Sequence, residues 1–177
     1  MILLLSGCSG ADTGMQQAME FRSSLLSSEG CRFQTEVTAD YGEELYTFSL
    51  ECQSDRDGNL SFRVTQPEAV ADIKGTVSET GGTLSFEDTA LSFPLMADEQ
   101  ITPVTAPWIL VRTLRSGSIT SVCQEEQLLH LSIDDSYEED ALQLDIWLDG
   151  ENRPVRGEIL YDQKRILSMS IVDFVLL

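Results

Sequence analysis

The segments CRFQTEVT (residues 31–38) and LYTFSLEC (45–52), joined by ADYGEE (39–44), decide the fold. In the first, Cys31, Phe33, Thr35 and Val37 alternate with Arg32, Gln34, Glu36 and Thr38. In the second, Tyr46, Phe48, Leu50 and Cys52 alternate with Leu45, Thr47, Ser49 and Glu51. Successive side chains of a strand point to opposite sides, so a period of two marks two strands, each with one apolar face. Gly42 breaks the run between them, and the two segments fold as an antiparallel hairpin. Pairing residues whose numbers sum to 83 sets Phe33 opposite Leu50, Thr35 opposite Phe48 and Val37 opposite Tyr46. A slip of one residue would turn every apolar side chain to the wrong side. The same pairing sets Cys31 opposite Cys52, and directly opposed residues, about 4.5–5.5 Å apart, are within reach of a disulfide. That bridge would leave Cys123 unpaired; its alternative is two small buried thiols.

The same period runs outward from this hairpin. Leu60, Phe62 and Val64 follow the turn at 54–58, with Phe62 set opposite Leu50. Ile73, Gly75 and Val77 come next, Gly81-Gly82 turns the chain into Leu84 and Phe86, and Leu91 and Phe93 follow. Farther on, Leu129, Leu131 and Ile133 form a face, then Leu142, Leu144, Ile146 and Leu148, then Val155, Gly157, Ile159 and Tyr161, with hairpin turns at Asp149-Gly150 and 162–164. In the last segment (165–176) the apolar positions switch from Leu167, Met169 and Ile171 to Val172 and Phe174, the mark of a bulge or of a two-sided strand, and Asp173 fits neither face. Two stretches have helical spacing instead. Residues 14–28 place Met15, Ala18, Met19, Arg22, Leu25 and Leu26 on one side, with Phe21 on the flank. Residues 103–117 carry a capping Thr105, Pro107 in the first turn, apolar Trp108, Leu110, Val111 and Leu114, and a terminating Gly117, although Ile109 and Val111 leave room for a strand. The result is about eleven antiparallel strands and two helices in one domain (14–177): an α+β chain, mainly β, with no βαβ rhythm.

The first residues, MILLLSGCSG, set the compartment. Leu5-Ser6-Gly7-Cys8 resembles a bacterial lipobox, whose cysteine takes a diacylglyceryl chain and becomes the mature N-terminus. Residues 1–7 then read as the remnant of a signal and 8–13 as a tether, and the body is expected outside the cytoplasm, held to the cell membrane by lipid. No later segment approaches the ~20 apolar residues of a membrane-spanning helix. Eleven Lys and Arg against thirty Asp and Glu give a net charge of -19. That balance excludes a nucleic-acid partner and electrostatic docking on an anionic bilayer.

Lipobox, helix, long antiparallel meander, Trp-bearing apolar helix and second meander together resemble the LolA/LolB-like superfamily, which includes mycobacterial glycolipid-carrier lipoproteins and Gram-positive lipoproteins related to sporulation. The resemblance implies an incompletely closed antiparallel β-barrel whose concave face is covered by two helices. It also implies a carrier or chaperone with an apolar cavity for a lipid or a lipoprotein acyl chain. Arg112 and Arg115 lie on a helix of the kind that in LolA carries the arginine holding the lid, without aligning to it. The residues agree with a cavity: two helices are little cover for so wide an apolar face. Its candidate lining is Phe33, Phe48, Leu50, Phe62 and Val64 from the first meander, Leu129, Leu131, Leu144 and Ile146 from the second, and Trp108, Leu110 and Leu114 from the helix. For any one of them ordinary core is the plainer reading.

Catalysis and metals find little support. The single histidine, His130, falls opposite Leu129 and Leu131, on the solvent side, with no nucleophile partner apparent in the sequence, so no catalytic residue is assigned and an enzyme is not expected. Neither a zinc pattern nor a complete calcium loop occurs, and no cofactor is implied. The densest acidic run, Asp134, Asp135, Glu138, Glu139 and Asp140, reads as a solvated loop or as a docking site for a basic protein partner. Two functions follow: an anchored monomeric carrier of acyl chains, or an envelope sensor or interaction lipoprotein using those acidic loops.

Overall fold

The computed structural model describes residues 9–40, 42, 44–86, 89–97, 100–137 and 141–177; the lipobox-like stretch with Cys8 lies outside them. Helix α1 (Ser9–Ser27) leads into β1 (Gly30–Asp40), β2 (Leu45–Asp55), β3 (Leu60–Gln66), β4 (Lys74–Ser78), β5 (Gly81–Phe86) and β6 (Thr89–Phe93). A short pair, β7 (Met96–Ala97) and β8 (Gln100–Ile101), and a 3-10 turn (Pro103–Thr105) precede helix α2 (Ala106–Ser116). The chain closes with β9 (Ser118–Glu125), β10 (Leu128–Asp134), β11 (Gln143–Leu148), β12 (Pro154–Tyr161) and β13 (Lys164–Leu176). Eleven strands form one sheet in the order β6-β5-β4-β3-β2-β1-β13-β12-β11-β10-β9, and β7 and β8 pair separately. The two meanders meet where β13 lies antiparallel to β1. Strands β6 and β9 end the sheet without pairing to each other, so the barrel is open, as expected.

The expected faces are present except at Val155, where a shift in the β11–β12 register buries Pro154 instead, but the expected register is not. In the β1–β2 hairpin Phe33 opposes Cys52, Thr35 opposes Leu50 and Val37 opposes Phe48. Between β2 and β3, Leu50 opposes Val64 and Cys52 opposes Phe62. Both hairpins are shifted by two residues, because the strands run farther into their turns: Asp40 still pairs with Leu45, and the Asp55 N–H donates to the Asn59 carbonyl at 3.0 Å. A shift of two returns each side chain to its own side, so alternation cannot exclude it. Gly81 and Gly82 begin β5, and Glu79 and Thr80 make the turn. Strand β9 has no legible alternation: its Ile119 and Val122 are half-buried, and a register shift opposite Ser132/Ile133 breaks the parity between them.

Helix α1 buries Gly14, Ala18, Phe21 and Leu25, a stripe at i, i+4, i+7 and i+11. Met15, Met19 and Leu26 are therefore exposed, and Phe21 is central rather than flanking. The stripe turns on Gly14, where a Cβ would lie 2.9 Å from Val122 Cγ1: only glycine lets the helix approach β9 so closely. Because α1 begins at Ser9, it takes in most of the stretch read as tether. Helix α2 is buried nearly all round, Ile109 included. Arg22 of α1 donates to the Leu114 carbonyl at 2.8 Å, satisfying a carbonyl in the last turn of α2. The Thr105 hydroxyl donates to the Thr102 carbonyl at 2.7 Å and does not cap α2.

In β13, Leu167, Met169, Ile171 and Phe174 are buried while Val172 and Asp173 both face outward. The β1–β13 register shifts between Arg32 and Gln34, and Asp173 takes a left-handed φ of 54°. This is the bulge the sequence allowed for. The extra residue returns Phe174 to the core, where it stacks on Phe33 at 5.6 Å, and spares the chain from burying Asp173.

Candidate functional site

The twelve residues expected to line a cavity belong to one packed core. Eleven are buried, and Phe48 is half-buried against the same cluster. Helix α2 fills the space in front of the sheet: Leu110 and Leu114 are fully buried, and Arg112 closes over the outer ring of Trp108, with its guanidinium carbon 5.4 Å from the ring centroid. The pairing of large side chains across the sheet and α2 accounts for the expected lining as core.

Open volume lies on the other side of the sheet. A cleft of about 1170 Å³ is floored by the outward side chains of β1 to β5. The registers arrange them in two rows across the strands. One row runs Arg32, Gln53, Ser61, Thr76 and Thr83; the other runs Gln34, Glu51, Arg63, Lys74 and Ser85. Arg32 continues across β1–β13 to Val175, and Gln34 to Val172. These valines, 45% and 55% exposed, are bared by the bulge and form an apolar end with Val155. The β11–β12 turn makes the remaining wall with Asp149, Arg153 and Pro154. Of the twelve expected lining residues, Phe33 and Phe62 border this cleft.

Hydrogen bonding fixes part of the floor. Arg63 donates to Glu51 Oε2 through Nε at 3.1 Å and Nη2 at 2.7 Å, with Asp72 at 3.4 Å. These bonds and charges raise the Arg63 pKa against the smaller effect of burial. Arg153 holds Asp149 Oδ2 at 2.8 and 3.0 Å, and its pKa is raised by that bond. Arg32 and Lys74 have no carboxylate within 4 Å among the described residues.

The expected Cys31–Cys52 bridge is not formed: both thiols are free and buried. Cys31 opposes Ser54, whose hydroxyl accepts the Cys31 N–H at 3.1 Å and lies 3.2 Å from its Sγ. Burial pushes both thiols up, Cys52 well above the ordinary value, so they stay protonated and poorly nucleophilic.

His130 lies on the outer face, as expected, but it is not bare: its side chain is only 19% exposed. One row across β9 to β12 joins Cys123, His130, Trp147 and Arg156. The imidazole stacks on the indole with centroids 4.4 Å apart, and the Arg156 guanidinium covers the ring's other face at 4.2 Å. Cys123 Sγ lies 3.5 Å from His130 Nδ1, and Asp145 Oδ1 lies 3.5 Å from Nε2. Cys123 is thus the neighbour of His130 that sequence reading missed, because β9 shows no alternation from which the β9–β10 register could be drawn. This row sits on β9 to β12, away from the cleft floor.

In the acidic run, Asp135 is turned inward. Its Oδ1 accepts the Leu142 N–H at 2.9 Å and its Oδ2 faces Arg112 at 3.5 Å, so it ties the β10–β11 connection to α2. Asp134 pairs with Ser118 at the end of β10, and Tyr137 is 96% exposed. Glu138, Glu139 and Asp140 lie outside the described residues.

No protein-family model and no curated protein matches the sequence. Solved structures do resemble the fold. An uncharacterized conserved protein from Thermus thermophilus is 13% identical, with 92% of this chain and 87% of that chain covered and a TM-score of 0.50. A LolA superfamily protein from Nitrosomonas europaea is 7% identical over 96% and 94% of the two chains, with a TM-score of 0.46. The Mycobacterium tuberculosis lipoprotein LppX is 9% identical over 92% and 93%, with a TM-score of 0.42. These likenesses are of fold alone.

Proposed function

We propose that this chain is an extracytoplasmic lipoprotein, anchored through Cys8, that binds or carries a lipid or a lipoprotein acyl chain. The carrying observation is the cleft of about 1170 Å³, of the order of the ~300–1,000 Å³ of ordinary ligand pockets. Its apolar end, Val155, Val172 and Val175, adjoins a polar floor, which suits an amphiphile better than a wholly apolar or wholly polar ligand. The resemblance drawn from the sequence supports the reading, since it implies a carrier of lipid or acyl chains. The packed core under α2 moves the proposed ligand chamber to the opposite side of the sheet from the one first expected.

Solvent extracts of gently purified protein, read by mass spectrometry, test this. A near-stoichiometric amphiphile is expected, and Val172→Trp, which fills the apolar end from an exposed position, is expected to reduce it several-fold with the melting temperature unchanged. Extracts free of amphiphile, together with no binding of added lipid, would refute the proposal.

A further inference from the structure

Four of the chain's eleven lysines and arginines border the cleft, beside three of its thirty carboxylates. The remainder of the chain thus carries seven cations against twenty-seven carboxylates. A strongly acidic protein has gathered more than a third of its cations around one concavity, where Asp72 and Glu151 also reach in to pair with Arg63 and Arg153. Two of those cations are already neutralised, Arg63 by Glu51 and Asp72 and Arg153 by Asp149 and Glu151. The other two, Arg32 and Lys74, are not paired among the described residues. A cation in a concave site is focused by its low-dielectric walls, and an anion approaching elsewhere on this surface meets repulsion.

Resting on the carrier reading above, we propose that the cleft takes an anionic phospholipid, with its headgroup phosphate on Arg32 and its acyl chains along the valine end. Arg32 lies directly opposite Val175 across β1–β13, so the cation and the apolar wall are neighbours, as a phosphate and its chains are in one lipid molecule. A guanidinium grips phosphate oxygens in a two-pronged geometry that a lone ammonium cannot copy. Gln53, opposite Arg32 on β2, adds an amide that donates to a phosphate or to a glycerol hydroxyl. Lys74 stands three strands from Arg32, roughly 14 Å at the usual strand spacing, and adds to the field that draws an anionic headgroup onto this floor.

Calorimetric titration at physiological salt with short-chain phosphatidylglycerol, phosphatidylcholine of the same chain length, and inorganic phosphate tests the assignment. Phosphatidylglycerol is expected to bind about tenfold more tightly than phosphatidylcholine, and inorganic phosphate far more weakly than either. Arg32→Gln is expected to weaken phosphatidylglycerol most and phosphatidylcholine, whose phosphate it also contacts but whose choline is repelled by the cleft's free cations, less, so that most of the preference is lost; Lys74→Gln is expected to remove a smaller part of it. Equal affinity for the two lipids would overturn the headgroup assignment and leave the carrier reading standing. Phosphate binding as tight as phosphatidylglycerol would overturn it in favour of a free-phosphate site. Failure of both lipids to bind would bring down the carrier reading itself.

Discussion

Replacing Ser54 with cysteine tests the register on which the sheet is built. Cys31 and Ser54 are directly opposed, and Ser54 is buried beside the Cys31 thiol. In S54C, mild oxidation should therefore join Cys31 to the introduced cysteine. The bridge closes a loop of about 24 residues, from 31 to 54, and chain entropy alone then stabilises the folded state by about 3.5 kcal/mol. For a chain of this size that corresponds to a rise in melting temperature of roughly 7–14 °C. Comparing oxidised with reduced S54C, in a Cys8→Ser background, cancels the loss of the serine hydroxyl. Thiol counting after denaturation and peptide mapping identify the bridge, and thermal melts read its effect. The chain with native Ser54 should keep Cys31 and Cys52 as thiols under the same oxidation. A Cys31–Cys52 bridge there, or an S54C variant that stays reduced, would refute the observed register in favour of one shifted by two.

Two further outcomes follow from local geometry. A Cβ on Gly82 would fall 2.1 Å from the Phe93 ring on the paired strand, so Gly82→Ala should destabilise by about 1–3 kcal/mol in urea unfolding. Phe93→Ala in the same chain should recover much of that loss, and simple additivity of the two changes would count against the contact. Asp55 and Asp149 have lowered pKa values: burial, the largest single effect, raises them, but hydrogen bonds together outweigh it, led by Asn59 at Asp55 and by Arg153 at Asp149. Their contribution is present above the unfolded value near 3.9 and is lost as pH falls through the lower folded value. Urea midpoints of D55N and D149N should therefore lie below the parent at pH 6 and converge on it towards pH 2; a constant gap would show that the carboxylates' charge is not involved.

Alternation reported which side most strand residues face, from Phe33 to Ile159, but not in β9 and not at Val155, where a shift in the β11–β12 register buries Pro154 instead. It could not report how far a strand runs into its turn, because a shift of two preserves every face while moving every partner. The Cys31–Cys52 expectation failed for that reason alone. In α1 the period was legible but its phase was not, since Met15, Met19 and Leu26 are as apolar as the residues actually buried. Gly14 carried the missing signal: a helix presses closest where it has no side chain. The residues expected to line a cavity sit in one buried cluster. Counting helices against strands measures how much apolar surface needs cover, but it says nothing of how large the covering side chains are, and the buried Trp108, Ile109, Leu110 and Leu114 of α2 are large.

The apolar end of the cleft was hidden because it depends on a departure from alternation. Strict parity through β13 would point Asp173 and Val175 inward and leave Phe174 outside. An uncompensated carboxylate in the core costs more than the strain of one left-handed residue, so the bulge at Asp173 is the cheaper arrangement. Its consequence is felt on the far side of the sheet, where Val172 and Val175 are bared beside Arg32. Apolar and cationic surface thereby meet at one place on a body that is acidic elsewhere. A residue that fitted neither face of its strand thus marks the point from which the proposed binding surface is built.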